Sequence, residues 1–298
     1  NCSKSERAHT MSKPPAHTAA AAAQAPKSKA GRNLPAAIGV GLALGGMCIA
    51  VLIFASEWWY LVVGIAMLIA TWEVVKRLQE GGFDVPVIPL LAGTAAIIAS
   101  SWQWRTTGVL VALASTVLIV MVWRLLSQGL NAAPVGYLRD LSASVLVLLW
   151  IPVLASFATD MVLQDHGAQR VFTLMIVVVC SDVGGYAAGV LFGKHPMVPA
   201  ISPKKSWEGF AGSLTFGIVG AICCVVFLLD SQWWIGVILG IGLVFCATLG
   251  DLVESQVKRD LEIKDMGTLL PGHGGIMDRL DSLLPCAFVV WAVLSALL

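Results

Sequence analysis

The chain has 298 residues, of which 57% are apolar and only 12% are Asp, Glu, Lys or Arg, and its formal net charge is +1. Soluble domains carry about twice that share of charged residues, roughly 25%. The composition therefore excludes an ordinary soluble domain and indicates a chain surrounded by lipid. The small net charge gives no basis for nucleic-acid binding.

The N-terminal segment, residues 1–33, differs from the rest of the chain. It is rich in Ala, Pro, Ser, Lys and His and has few residues that could build a core. We therefore predict a disordered cytoplasmic tail. Residues 34–298 are predicted to form one transmembrane catalytic domain.

Apolar runs of membrane-spanning length repeat from residue 34 to the last residue. Because a bilayer core of about 30 Å needs roughly 20 helical residues, we predict an all-α polytopic membrane protein with about nine transmembrane helices. The predicted spans are 34–54, 57–76, 85–101, 106–126, 139–158, 170–192, 208–229, 233–254 and 280–298. The third run contains Pro86 and Pro89, which indicates a tilted, kinked or re-entrant segment.

The distribution of positive charge predicts the orientation. Lys and Arg favour cytoplasmic loops. With the N-terminal tail inside, alternation of the spans places 17 of the 19 Lys and Arg residues on the inner side and leaves only Arg105 and Arg170 outside. We therefore predict a protein of the cell membrane with its N-terminus in the cytoplasm and its C-terminus on the opposite side.

Charged residues cluster in one stretch, 251–281, which holds 11 of the 37 charged residues. Asp251, Glu254, Ser255 and Lys258 are spaced to share one helix face. A carboxylate at the end of a membrane span is costly unless it has a partner or a metal ion. The spacing therefore indicates a polar site at the inner end of the eighth span.

A glycine-rich turn follows this helix at Pro271-Gly272-His273-Gly274-Gly275. Glycine lets a backbone approach a ligand closely and turn its N–H groups toward an anion. We expect Asp278 and Asp281 to lie on one face of the first turn of the last helix. Two sets of carboxylates flanked by Lys and Arg suit Mg²⁺ and a polyphosphate.

These residues carry a resemblance to a known family. The run Ser255-Gln256-Val257-Lys258-Arg259, then Lys264-Asp265, then Leu270-Pro271-Gly272-His273-Gly274-Gly275-Ile276-Met277-Asp278-Arg279-Leu280-Asp281, resembles the signature of the phosphatidate cytidylyltransferase family. The stretches Ser181-Asp182, Ser202-Pro203-Lys204-Lys205-Ser206 with Glu208-Gly209, and Gly250-Asp251 with Glu254-Ser255 resemble further family motifs. The likeness is strong over about 178–282 and elsewhere is only a hydrophobic pattern.

The resemblance implies transfer of a cytidylyl group from CTP to phosphatidic acid, with Mg²⁺ as cofactor and room for a second cation and a homodimer. The residues implied in catalysis are Asp251, Asp278, Lys258, Arg259, Lys264, Asp265, His273 and Arg279. The residues implied in substrate binding are Ser202, Lys204, Lys205, Glu208, Asp182, Ser255, Gly274 and Gly275. The residues implied in metal binding are Asp251, Asp278 and Asp281.

Several residues also admit a plainer interpretation. His273 can serve only to shape the glycine turn, and the inner-loop lysines follow the positive-inside rule in any case. Glu73 is interpreted as a helix-end ion pair near Lys76. Asp160, with Asp165 and His166 beside it, is interpreted as solvated surface of an outer loop.

Three other functions compete with cytidylyl transfer. A CTP-dependent polyprenol or dolichol kinase would use the same nucleotide and metal but release CDP. A CDP-alcohol phosphotransferase would carry a paired DGxxAR and GxxxDxxxD pattern, which this sequence lacks. A transporter would place charges near mid-span and show inverted repeats, whereas the charges here cluster at the inner ends of the spans.

Overall fold

The computed structural model describes residues 34–127, 129–131, 133–269 and 274–298. The predicted tail 1–33 and His273 lie outside the described residues. The helices are α1 (Leu34–Phe54), α2 (Trp59–Glu80), α3 (Val87–Ser127), α4 (Tyr137–Leu148), α5 (Leu154–Val162), α6 (Gly167–Phe192), α7 (Trp207–Phe227), α8 (Trp233–Asp260), α9 (Met277–Leu280) and α10 (Leu283–Leu297). Two short strands, β1 (Pro196–Val198) and β2 (Ser202–Ser206), complete the described elements.

The helical elements agree with the predicted class of an all-α polytopic membrane protein. Seven helical stretches are long and apolar enough to cross a membrane. They are Ser56–Glu80, Val87–Ser127, Tyr137–Val162, Gly167–Phe192, Trp207–Phe227, Trp233–Asp260 and Met277–Leu297. A π-helical segment, Leu149–Val153, joins α4 to α5 and accommodates Pro152, whose ring cannot fit a regular helix interior.

The second of these stretches, α3, is not one straight helix. Arg105 has φ 51° and ψ −142°, which lie outside the helical region. In a straight helix Gly93 and Thr116 would be about 35 Å apart, at about 1.5 Å per residue. A Cβ at Gly93 would nevertheless touch the Thr116 side chain. The arms 87–104 and 106–127 therefore fold back on each other at Arg105 and match the third and fourth predicted spans.

A hydrogen-bond network centred on the buried residue Asp160 holds this reversal. Arg105 Nη1 donates to Asp160 Oδ1 at 3.3 Å and Arg105 Nη2 donates to the Leu163 carbonyl at 2.8 Å. Trp291 Nε1, from α10, and Gln164 Nε2 donate to Asp160 Oδ2 at 2.7 and 3.0 Å. These bonds offset the strained backbone of Arg105.

The prediction that Asp160 is solvated surface is therefore wrong. Asp160 is buried, because the helix extends to Val162 and packs its last turn against α10. The same interpretation is confirmed for Asp165 and His166, which are exposed.

A buried ion pair ties the second arm of α3 to α4. Arg124, only 1% exposed at its side chain, lies 2.5 Å from Asp140 Oδ2 through Nη2 and contacts Asp84 through Nη1. A buried arginine without these carboxylates would be costly. The pair therefore fixes the α2–α3 connection against α4.

Helices α6 and α7 pack with their backbones in close approach. A Cβ at Gly184 would lie 2.7 Å from the Gly212 carbonyl oxygen, and a Cβ at Gly212 would lie 2.5 Å from the Gly184 carbonyl oxygen. Small residues at helix crossings allow this kind of contact in membranes. Gly184, which follows shortly after Asp182 on α6, therefore allows the two helices to approach closely.

The short hairpin between α6 and α7 carries the predicted basic loop. Strands β1 and β2 pair antiparallel, with Pro196 opposite Ser206 and Val198 opposite Ser202. Ser206 then caps α7, because its Oγ accepts a hydrogen bond from the Gly209 N–H at 3.1 Å. Lys204 and Lys205 are thereby held on a strand at the end of the α6–α7 pair.

Candidate active site

A cavity of about 330 Å³ lies between α6, the hairpin, α7 and α8. This volume suits a small ligand. Its lining residues are Ser181, Asp182, Gly185, Tyr186, Gly189, Met197, Lys204, Lys205, Ser206, Gly209, Phe210, Ser213, Ala247, Thr248, Asp251 and Ser282. Four predicted site residues from three separate stretches, Asp182, Lys204, Lys205 and Asp251, therefore face one cavity.

An ion pair crosses this cavity. Lys205 Nζ lies 2.5 Å from Asp251 Oδ2. Ser255, one turn further along α8, donates from Oγ to Asp251 Oδ1 at 3.3 Å. The side chain of Asp251 is 37% exposed, so its carboxylate remains accessible to a ligand.

Further carboxylates gather at the same end of the helices. Asp182 on α6 interacts electrostatically with Asp251 and Asp281 as well as with Lys205. Helix α9 ends at Leu280, but Asp281 (φ −50°, ψ −44°) and Ser282 (φ −83°, ψ −36°) keep helical backbone angles up to α10. Asp278 and Asp281 therefore share the first turn of the last membrane-spanning stretch, as expected, and Asp281 accepts the Ser282 N–H at 2.7 Å.

Asp278 lies beneath the cavity in a cage of donors. Its carboxylate accepts N–H groups from Met266 at 3.0 and 3.2 Å, from Gly267 at 3.4 Å and from Gly275 at 2.8 Å. Lys258 Nζ lies 3.0 Å from its Oδ1. Gly274 has φ 84°, and the turn at this residue directs the Gly275 N–H toward the Asp278 carboxylate. Asp278 therefore joins the segment before the glycine turn to the segment after it.

Lys258 is an internal counter-ion. Its Nζ lies 2.5 Å from Glu254 Oε2 and 3.0 Å from Asp278 Oδ1. Glu254 is fully buried, and its Oε1 has no hydrogen-bond partner among the described residues. Lys258 therefore connects α8 to Asp278. To bind a substrate phosphate, Lys258 would have to give up its ion pairs with Glu254 and Asp278.

Other predicted site residues lie around the cavity without lining it. Glu208 accepts the N–H groups of Lys194 and His195 at 3.2 Å, and its Oε1 lies 2.5 Å from His195 Nδ1. Ser202 begins β2. Arg259 Nε donates weakly to the Ile201 carbonyl at 3.5 Å.

Three more predicted site residues are Lys264 and Asp265, in the loop after α8, and Arg279, on α9. All three are exposed. None of the three is among the residues that line the cavity, and His273 lies outside the described residues.

The carboxylate cluster can be tested for its fit to Mg²⁺. In the described part of the chain no three His, Cys, Asp or Glu side chains form a ready metal-binding group. Asp251 nevertheless pairs with Lys205, and Glu254 and Asp278 pair with Lys258, while Asp182 and Asp281 are close enough to interact electrostatically with these groups. Hard oxygen donors in excess over positive charge are what Mg²⁺ requires. The carboxylate oxygens therefore suit Mg²⁺. Asp251 and Asp281 accept fewer hydrogen bonds and ion pairs from the protein than Asp278 does.

The sequence interpretation of Glu73 is wrong. Glu73 on α2 is 2% exposed and accepts the Met277 N–H at 3.0 Å through Oε2. Lys76 instead lies over the Trp72 ring, 5.4 Å from its centroid. An acidic residue inside an apolar span is functional by default in a membrane protein. Glu73 and Asp182 both show this pattern in the sequence.

The fold and the cavity together define a polytopic membrane protein with a cavity lined by charged residues. Comparison with known families adds the particular identity. The cytidylyltransferase family matches residues 35–297. The chain belongs to the cytidylyltransferase family.

Several relatives share the name phosphatidate cytidylyltransferase. The protein of that name from Mycobacterium leprae (strain TN) is 53% identical over 280 residues, which cover 90% of each chain. The one from Mycobacterium tuberculosis (strain ATCC 25618 / H37Rv) is 52% identical over 278 residues, which cover 91% of this chain and 85% of the relative. The one from Helicobacter pylori (strain ATCC 700392 / 26695) is 35% identical over 171 residues, which cover 57% of this chain and 64% of the relative.

Proposed function

We propose that the chain is a phosphatidate cytidylyltransferase that converts CTP and phosphatidic acid to CDP-diacylglycerol and pyrophosphate for phospholipid synthesis. Relatives of that name align with about nine tenths of the chain. The observation that carries the proposal is the meeting of Asp182, Lys205 and Asp251 in one cavity beside the Lys258–Asp278 pair. These residues come from separate motifs and meet where α6, the hairpin and α8 end.

In the proposed reaction a phosphate oxygen of phosphatidic acid attacks the α-phosphorus of CTP. A new P–O–P bond forms, the bond between the α- and β-phosphates breaks, and pyrophosphate leaves with that bridging oxygen. Such transfers need positioning and charge neutralisation more than a covalent protein intermediate. Lys204 and Lys205 are placed to neutralise phosphate charge at the cavity.

Mg²⁺ is proposed as the cofactor, held by Asp251 and Asp281 with Asp278 as a further ligand. When bound, it would screen the phosphate oxygens and stabilise the charge that develops on the leaving pyrophosphate. Asp182, which interacts with the same carboxylates, is a candidate ligand for a second cation. Lys205 would then pair with a phosphate group of the substrate instead of with Asp251.

We also propose nine membrane spans with the N-terminus in the cytoplasm. Division of α3 at Arg105 turns the seven candidate spans into eight, and α1 adds a ninth. The cavity then lies at the cytoplasmic ends of α6 and α8, where CTP is available.

Two differently labelled CTP molecules test the reaction. The purified chain in detergent, with Mg²⁺ and phosphatidic acid, should move an α-phosphate label into lipid and a γ-phosphate label into pyrophosphate. A CTP-dependent lipid kinase would instead move the γ-label into lipid and release CDP. Failure of the α-label to enter lipid would overturn the proposed function.

A further inference from the structure

Glu73 lies outside every motif of the signature, yet it contacts the signature turn. It is 204 residues away from Met277, whose N–H it binds. A carboxylate that is almost fully buried at the end of a span is costly unless its location contributes something else. Among the described residues Glu73 has no ion pair, and its Oε1 has no hydrogen-bond partner.

The carboxylate of Glu73 fits against two glycines of the signature loop. A Cβ at Gly275 would lie 2.5 Å from Glu73 Oε2 and 2.7 Å from the Gly267 nitrogen. A Cβ at Gly267 would also meet the Glu73 carboxylate. The segments that contain Gly267 and Gly275 therefore lie against each other, with Glu73 packed on both.

Asp278 binds the same two segments with its own carboxylate. It accepts N–H groups from Met266 and Gly267 on one segment and from Gly275 on the other. Glu73 and Asp278 thus hold one pair of backbone segments, and Glu73 does so from a helix that contributes no residue to the cavity lining.

A second residue of α2 makes an independent contact with the loop. Arg77, one helical turn after Glu73, donates from Nε to the Met266 carbonyl at 2.9 Å. Glu73 and Arg77 lie on one face because they are four residues apart. One face of α2 therefore contacts the loop on both sides of the glycine turn.

We infer that Glu73, supported by Arg77, is a positioning residue for the proposed cytidylyl transfer. It fixes the 266–267 and 275–277 segments on α2 and so sets the place of Asp278 and of the glycine N–H groups. This inference rests on the proposed function. Glu73 acts through these segments and does not touch either substrate.

The reach of the side chain, rather than its charge, should decide activity. Glu73→Gln keeps the length and an oxygen that can accept the Met277 N–H. Glu73→Asp keeps the charge but is one methylene shorter, and Glu73→Ala removes the group. Misplacement of a reacting group by about 1 Å costs about 10²-fold in rate, so we expect kcat to fall about 10²-fold for the Asp and Ala variants.

The split between kcat and KM distinguishes positioning from loss of structure. The Gln variant should keep kcat within about threefold of the wild type, and the KM for CTP should change by less than about threefold in all three variants. Glu57→Gln, an exposed acid just before α2, is the matched control and should behave as the wild type. Arg77→Met should lower kcat in the same manner, and its effect should be less than additive with that of Glu73→Asp.

Hydrogen–deuterium exchange supplies a readout that does not depend on activity. The amides of Met266, Gly275 and Met277 should exchange faster in the Asp and Ala variants and at the wild-type rate in the Gln variant. If the wild type forms no CDP-diacylglycerol but this exchange pattern holds, the proposed function fails and the positioning role stands.

Three results would overturn the positioning role. The first is an Ala variant with wild-type kcat. The second is a Gln variant as impaired as Ala beside an active Asp variant, because charge would then be what matters. The third is a fall in the melting temperature that all three Glu73 variants share while exchange at the amides of Met266, Gly275 and Met277 stays unchanged.

Discussion

Lys205 Nζ lies 2.5 Å from Asp251 Oδ2, and this ion pair joins the β1–β2 hairpin to α8 across the cavity. The two residues belong to different motifs, 46 positions apart in the sequence. Because the α6–α7 pair places the hairpin over the end of α8, the basic loop and the acidic helix form one site.

Loss of the Lys205 charge should impair the use of CTP. We expect Lys205→Met to lower kcat/KM by about 10- to 100-fold, because a hydrogen bond to a charged group is worth about 1.5–3 kcal/mol. Steady-state kinetics with varied CTP measures this effect. Lys194→Met, at an exposed position in the same connection, is the control, and an equal loss in both variants would contradict a specific role for Lys205.

The close crossing of α6 and α7 should not tolerate a larger side chain. Gly212→Val places a Cβ against the Gly184 carbonyl, which belongs to a backbone that cannot rotate away. Overpacking of this kind lowers the free energy of unfolding by about 1–3 kcal/mol. Gly45→Val on α1, where no atom lies within 4 Å of the added Cβ, should be nearly neutral in the same detergent unfolding assay. Equal destabilisation of the two variants would refute the close packing.

The Asp160 network should be needed for stability and not for chemistry. Asp160→Asn turns one acceptor oxygen into a donor that faces Trp291 Nε1 or Arg105, which should lower the free energy of unfolding by about 1–3 kcal/mol. Asp165→Asn, at an exposed position nearby, should change it by less than about 0.5 kcal/mol. Thermal unfolding in detergent measures both, and an unchanged melting temperature for Asp160→Asn would argue against a buried hub.

The two ends of α8 should face opposite sides of the membrane. In a cysteine-free background, Gln232→Cys and Asp260→Cys place single thiols about 42 Å apart, at about 1.5 Å per residue. An impermeant maleimide should label the cysteine at 260 only from the cytoplasmic side and the cysteine at 232 only from the opposite side. Labelling of both from one side would contradict the nine-span topology.

Much of the architecture follows from local sequence signals. The apolar runs predict the helices closely, and the predicted first span coincides with α1. The glycines after Asp182 predict the close α6–α7 contact. The motifs single out Asp182, Lys204, Lys205 and Asp251, which line one cavity, together with other residues that do not line it.

Other features depend on contacts between distant segments and leave no local pattern. The sequence predicts a break between two spans near Arg105, but not the contacts that hold it: Asp160, which binds Arg105, lies on another helix, and Trp291, which binds Asp160, lies on α10. Glu73 looks like a helix-end charge in the sequence because its partner, the Met277 N–H, lies far along the chain. The cage around Asp278 forms from backbone N–H groups, which carry no side-chain signal.

The rate of CDP-diacylglycerol formation by the wild type and by Asp251→Asn tests the central claim most directly. Asp251 lines the cavity and is partly exposed, so the substitution should leave the melting temperature unchanged. We predict that the wild type transfers the α-phosphate label of CTP to phosphatidic acid and that Asp251→Asn is slower by about 10²-fold or more, with Asp165→Asn as the active control. A wild type that forms no labelled lipid, or an Asp251→Asn variant with a near-normal rate, would contradict the account.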